Sequence, residues 1–182
     1  TNTIVYPQGW YTSDLFVLDE LGMPSESQAV SSSTESHYGK SMLLQNTTIN
    51  GGILVGLAIT GQSFSTDFPP AFELTSKPSY LQGYYKFQPD NNDTGQIGVF
   101  LYKNGSLVGM GQLGFVSKVD EIRYFTVPIN YFGLTPDSAS IVVSCANFER
   151  PRGSQTKLWI DKLSFTNSIA SKPKWQQDTR LY

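Results

Sequence analysis

Apolar and polar residues alternate with a period of two through most of this chain, and no segment carries a sustained helical stripe. That period sends successive side chains to opposite faces of an extended strand. In residues 96–103, Ile97, Val99 and Leu101 share one face while Phe100 and Tyr102 share the other. Both faces are apolar there, the pattern of a strand enclosed between layers. Ile141, Val143 and Cys145 repeat it, which predicts Cys145 as a buried small hydrophobe rather than a reactive thiol. Further strands are expected at residues 15–19, 41–46, 53–60, 80–88, 106–115, 122–129 and 157–166.

The punctuation agrees. Pro89-Asp90-Asn91-Asn92-Asp93 and Lys103-Asn104-Gly105-Ser106 are turn sequences, the second with the Asn-Gly pair favoured in tight hairpins. Pro69-Pro70, Thr135-Pro136-Asp137 and Pro151-Arg152-Gly153 break the chain elsewhere, and the Ser-rich stretch 25–36 reads as a loop. About nine strands with short turns predict an all-β fold, an antiparallel β-sandwich or jelly roll. Neither a repeat nor a linker interrupts residues 1–167, which read as one domain. After Asn167 the alternation stops, so residues 168–182 read as a tail or a docking segment carrying Trp175.

Length and composition exclude several functions. The 182 residues suffice for one domain with a real core. A net charge of -2 supplies no basic field for nucleic acid or anionic lipid, and no apolar run is long enough for direct membrane insertion. One cysteine forms no internal disulfide, and His37 as the single histidine excludes a multi-histidine metal site. Charged residues make up only 15% and aromatics 13%, which suits an extracellular surface. The chain opens on Thr1 rather than methionine, which predicts a processed or excised product.

Several segments recur in a known order: Lys77 to Pro89 (K-P-S-Y-L-Q-G-Y-Y-K-F-Q-P), Y-F-T-V-P-I-N-Y-F at 124–132, P-D-S-A-S-I-V-V-S at 136–144 and G-S-Q-T-K-L-W-I-D-K-L-S-F at 153–165. With Y-P-Q-G-W near the start and H-Y-G-K-S-M-L-L at 37–44, this order resembles secreted and cell-surface Bacteroidetes domains related to the putative carbohydrate metabolism domain family. Many such domains occur in type IX secretion cargo. The resemblance spans roughly residues 5 to 167. It implies a galactose-binding-like jelly roll displayed outside the cell and engaged in carbohydrate binding.

Asp161 is the carboxylate with the most unusual setting. If alternation holds through residues 158–165, it shares a face with Trp159, Leu163 and Phe165; alternatively a bulge at Asp161-Lys162 changes the phase. An inward carboxylate must be paired, hydrogen-bonded or metal-bound, because an isolated buried charge is very costly. Jelly-roll modules resembling this one often place an aspartate of the last strand on a structural calcium, which accepts mixed oxygen ligands. That implies Asp161 as a calcium ligand, with Asp14 or Glu35 as partners.

Sugar recognition needs flat aromatic faces for pyranose C–H groups and polar groups for hydroxyls. The chain offers Trp10, Tyr11, Phe64, Phe68, Tyr84, Tyr85, Tyr131, Phe148 and Trp175, although aromatic residues also build sandwich cores. Tyr84 and Lys86 share one strand face, the mark of an exposed or grooved surface. Trp10, Tyr84, Lys86 and Arg150 are therefore the ligand-contact candidates. Lys86 reads equally as a solvated strand residue and Arg150 as a loop cation.

Nothing marks a catalytic constellation. His37 reads as a surface or turn histidine, since no nucleophile-elbow sequence accompanies it. A glycosidase needs two carboxylates at a defined separation, and no pair stands out. Asn46-Thr47-Thr48, Asn92-Asp93-Thr94 and Asn104-Gly105-Ser106 match the N-glycosylation pattern, and Asp137-Ser138-Ala139 resembles a bacterial O-glycosylation motif.

The sequence thus predicts a non-catalytic, secreted or cell-surface module that binds a polysaccharide or other glycan, with at most a structural calcium. The alternative is an accessory subunit that binds other cell-surface or outer-membrane proteins, and a small glycoside hydrolase stands third.

Overall fold

A computed structural model describes residues 6–22, 27–61 and 72–169. The expectations placed on Phe64, Phe68, Pro69-Pro70, Trp175 and most of the 168–182 tail lie outside those residues.

In chain order the elements are β1 (Trp10–Thr12), α1 (Ser13–Leu21), β2 (Val30–Ser33), β3 (Ser41–Gln45), β4 (Thr47–Ile49), β5 (Gly52–Leu54), β6 (Leu57–Thr60), β7 (Phe72–Glu73), β8 (Tyr80–Gln88), β9 (Gly95–Lys103), β10 (Ser106–Phe115), β11 (Val119–Pro128), β12 (Asn130–Tyr131), β13 (Ser138–Ser144) and β14 (Lys157–Thr166). They form two antiparallel sheets and a small β4–β5 hairpin. One sheet runs β1-β6-β13-β9-β10-β12, with β7 also pairing β13; the other runs β11-β8-β14-β3-β2. The fold is an antiparallel β-sandwich of the jelly-roll kind.

The core lies between the sheets. Ile97, Val99, Leu101, Ile141 and Val143 come from the first sheet, and Leu44, Leu81, Phe87, Leu158 and Ile160 from the second. Burying each such side chain contributes about 1.5–3 kcal/mol. Cys145 is fully buried as expected. Burial pushes its thiol up to about 12, the nearby Asp93 carboxylate adding to the rise. The Asn-Gly turn forms the β9–β10 hairpin, with φ of 50° at Asn104 and 76° at Gly105, values that Asn and Gly tolerate best.

Three local expectations fail for identifiable reasons. Residues 15–19 belong to α1, not to a strand. Thr12 caps the helix by accepting from the Leu15 N–H, Asp14 sits in its first turn, and Gly22 ends it in the left-handed conformation. These end signals outweigh the short alternation of Leu15 and Val17. Residues 53–60 split into β5 and β6, and the Ser-rich stretch contains β2, which hydrogen-bonds along β3 despite its polar side chains. Among the described residues, no helix is long and apolar enough to cross a membrane.

Candidate functional site

Strand β8 lies inside the second sheet, between β11 and β14. Leu81, Gly83, Tyr85 and Phe87 turn toward the core, so Tyr80, Gln82, Tyr84 and Lys86 occupy the outer face. Cross-strand register sets Trp159 beside Lys86, Asp161 and Tyr124 on either side of Tyr84, and Ser164 beside Gln82. The Tyr124 hydroxyl donates to Gln82 Oε1 at 2.7 Å, and its ring meets Tyr84 edge-on at 5.7 Å. Trp159 Nε1 donates to Ser33 Oγ at 3.2 Å.

A bulge in β14 decides where Asp161 points. The register shifts between Asp161 and Ser164, and Lys162 takes a φ of 53°. Leu163 and Phe165 then pack on the core, while Asp161 stays on the outer face with Trp159. Of the two phases the sequence allowed, the bulged one holds.

The β2–β3 loop, residues 34–40, folds back over this face. Asp161 Oδ2 accepts the backbone N–H groups of His37 at 2.9 Å and Tyr38 at 3.2 Å. Glu35 Oε1 pairs with Lys86 Nζ at 3.1 Å, and the same ammonium stands 5.1 Å from the Trp159 ring centre. The His37 ring stacks on Tyr84, and Lys162 Nζ lies 4.9 Å from the centre of the Tyr38 ring. Lys86 and Asp161 are consequently buried, at 9% and 7% exposure, whereas Tyr38 is 75% exposed. Five rings, two lysines and two carboxylates meet on one face.

Tyr84, Lys86 and Asp161 are thus brought together as neighbours. Trp10 is not among them: it pairs with Thr60 at the far edge of the other sheet and packs half-buried against the core. Arg150 is exposed in the turn after β13, its N–H bonded to Asn147. Lys86 is not a solvated strand residue, because the folded-back loop covers it. Trp159, Tyr124, Gln82 and His37 were not singled out for the site, and Glu35 was named only as a calcium partner of Asp161. The period-two reading had put Trp159 beside Asp161, but loop residues give no such signal.

Calcium does not fit the donors present. Two N–H groups point at Asp161 Oδ2, where a cation would require oxygen acceptors. Asp14 Oδ1 and Oδ2 accept from Ala29 and Val30 N–H, each at 2.8 Å, and Glu35 is paired to Lys86. Among the described residues, no three His, Cys, Asp or Glu side chains gather as a metal site.

A second polar cluster is buried behind the strand ends. Asp93 accepts from Arg152 N–H at 2.8 Å, Gly153 N–H at 3.1 Å, Thr156 Oγ1 at 2.6 Å and Asn46 Nδ2 at 3.2 Å. Asn46 also donates to the Gly153 carbonyl and accepts from Cys145 Sγ. A Cβ on Gly153 would lie 2.5 Å from the Asp90 side chain, so only glycine fits this junction. Asn46 is therefore no glycan acceptor. Ser138 is buried too and donates to Asp137, which removes it as an O-glycosylation site.

No family model matches the chain, and no curated protein sequence matches it. Solved structures do. A "putative glycoside hydrolase" from Bacteroides thetaiotaomicron superposes with a TM-score of 0.69 at 14% identity, over 88% of this chain and 63% of that one. The chain thus spans less than two thirds of that protein. Another from Bacteroides vulgatus gives 0.64 at 15% identity, over 86% and 85%. An arabinose-bound α-L-arabinofuranosidase gives 0.50 at 10%, over 87% of this chain and 23% of the enzyme. The likeness is one of fold.

Proposed function

We propose that this protein is a non-catalytic carbohydrate-binding module, secreted or displayed on a bacterial cell surface as the resembled Bacteroidetes domains are. One observation carries the reading: the outer face of the second sheet gathers Tyr84, Tyr124, Trp159, His37 and Tyr38 with Lys86, Glu35 and Gln82 instead of the polar residues of a plain solvated face. The exposed His37 and Tyr38 rings and the partly exposed Tyr84 supply stacking surfaces for pyranose C–H faces, while the buried Trp159 supports them from beneath the loop. The Gln82 amide and the half-exposed Glu35 carboxylate supply directed hydrogen bonds to hydroxyls. A sugar stacks on the open side of the His37–Tyr84 pair and on Tyr38.

The buried carboxylates favour binding over hydrolysis. Asp14, Asp93 and Asp161 each accept backbone N–H groups and so anchor loops rather than move protons. The fold shared with proteins named as glycoside hydrolases is compatible with an accessory domain as much as with an enzyme. A glycan array with the purified chain tests the proposal: binding to a defined glycan, lost in Tyr84→Ala, supports it. A blank array from folded protein overturns it.

One feature favours the second reading, a subunit that docks on another surface protein. Phe132 and Leu134 are 60% and 70% exposed where the chain leaves β12, and Phe132 bonds back to Val108 beside the exposed Leu107. Adjacent exposed apolar side chains of this size mark contact surfaces.

A further inference from the structure

The outward row of β8 continues beyond Tyr84. Tyr80 lies four residues along the same face, about 13 Å away at the strand rise of about 3.3 Å per residue. Pro128 of β11 stands opposite Tyr80, and Gln82, Thr126 and Ser164 lie between the two aromatic positions. Tyr80 and Pro128 also form part of the wall of a cavity of about 420 Å³, completed by Lys77, Ser79, Asn130 and Tyr131 among others. The cavity therefore adjoins one end of the aromatic strip.

Its charge is one-sided. Lys77 Nζ stands 4.7 Å from the centre of the Tyr131 ring, and no carboxylate of the described residues lines the cavity. Among the described residues, no acidic side chain pairs with Lys77, whereas Lys86 farther along the row already has Glu35. The floor is held in place beforehand. Tyr131 donates its hydroxyl to the Pro78 carbonyl at 2.7 Å, Ile129 N–H bonds to the Ser79 carbonyl at 2.9 Å, and Ser79 N–H reaches the Asn167 side chain at 2.9 Å. A site fixed in this way loses little conformational freedom when it is filled.

We propose that this cavity binds the carboxylate of an acidic sugar, so that the module takes a uronic-acid-containing polysaccharide with a charged residue at Lys77 and further rings toward Tyr84. The inference rests on the carbohydrate-binding reading and deepens it. A ligand carboxylate forms a charge-assisted hydrogen bond with the Lys77 ammonium, which no acidic side chain of the described residues engages. Ser79 and Asn130 offer hydroxyl partners, and Tyr80 with Pro128 offers the apolar wall. A neutral sugar offers the ammonium only hydroxyl acceptors and lacks the charge-assisted contact.

The test titrates the isotope-labelled whole chain with trigalacturonate and, separately, with galactotriose of the same linkage, following backbone amides by NMR. The acid should bind about tenfold more tightly than the neutral trisaccharide, a difference the size of one charge-assisted contact. Its largest shifts should fall on residues 77–80 and 130–131. Lys77→Gln, a change at an exposed side chain, should abolish the margin while leaving the spectrum folded, and Lys77→Arg should keep it. Equal affinities, or an acid preference that survives Lys77→Gln, would overturn the inference and leave the module reading standing. Acid binding at Lys77 that is indifferent to Tyr84→Ala would retain the cavity and remove the Tyr84 face as a binding surface. No binding of either trisaccharide overturns the inference.

Discussion

The His37 imidazole lies parallel to the Tyr84 ring, with centroids 3.8 Å apart and planes inclined by 5°. One histidine from a loop thus caps the most central aromatic of the outer face, 47 residues farther along the chain. The stack persists because the backbone of His37 and of Tyr38 is tied to Asp161, the cross-strand neighbour of Tyr84 on β14.

That geometry ranks the binding variants. Tyr84→Ala removes the base of the stack and should abolish measurable binding of the best array glycan. His37→Ala removes the outer ring alone and should weaken it about three- to tenfold, the scale of one aromatic contact of about 0.5–1.5 kcal/mol. Trp10→Ala and Arg150→Ala, whose side chains lie away from this face, should leave affinity within twofold when stability is matched. Calorimetric titration of the four variants checks the order.

Asp161→Ala should loosen the loop and leave the sandwich folded. It deletes the charged acceptor of two backbone N–H groups, each such bond contributing about 1.5–3 kcal/mol where it is shielded from water. Hydrogen exchange at the His37 and Tyr38 amides should accelerate by at least tenfold while β9 and β13 amides change far less. Because the donors at Asp161 are N–H groups, chelation of calcium should shift the melting temperature of the wild type by less than a degree. A rise of several degrees on adding calcium would show that oxygen ligands replace those N–H groups.

What the sequence made legible follows from range. Strands such as β8, β10 and β14 announce themselves through period-two patterns that need no knowledge of neighbours, and their ends coincide with the expected ones. The Asn104-Gly105 hairpin is equally local. The face-defining bulge at Lys162 was visible only as one of two phases, since its choice depends on Leu163 finding the core beside Gly83. The loop over Tyr84 was invisible, because Glu35, His37 and Tyr38 meet partners 50 to more than 120 residues away. Asp93 looked like one more turn acid, yet it collects donors from Asn46, Arg152, Gly153 and Thr156.

Asp93→Ala should be among the most destabilising single changes. It leaves buried donors from Asn46, Gly153 and Thr156 without their acceptor. Breaking a buried charged network by removing one member costs about 3–5 kcal/mol. Asp93→Asn retains one acceptor oxygen and should cost about half as much. Urea unfolding followed by tryptophan fluorescence measures both, and a loss below 1 kcal/mol for Asp93→Ala would contradict the network as drawn.

Alkaline pH should expose the buried thiol through stability. The Cys145 group ionises near pH 8.5 in an unfolded chain, but burial holds it protonated in the native state to about 12. Across that window the unfolded state releases a proton that the native state keeps. The Cys145 contribution is therefore fully present below pH 8.5 and is lost as pH rises, at about 1.4 kcal/mol per pH unit. Tyr11, raised by burial and its bond to Asp19, adds to the decline above about pH 10, where free tyrosine ionises. Cys145→Ala should be less stable at pH 7, because Asn46 Oδ1 loses its thiol donor, yet its stability should stay nearly flat between pH 8.5 and 10. Denaturant midpoints at pH 7, 9 and 10 for both proteins decide the matter: parallel declines would mean that Cys145 titrates alike in the two states.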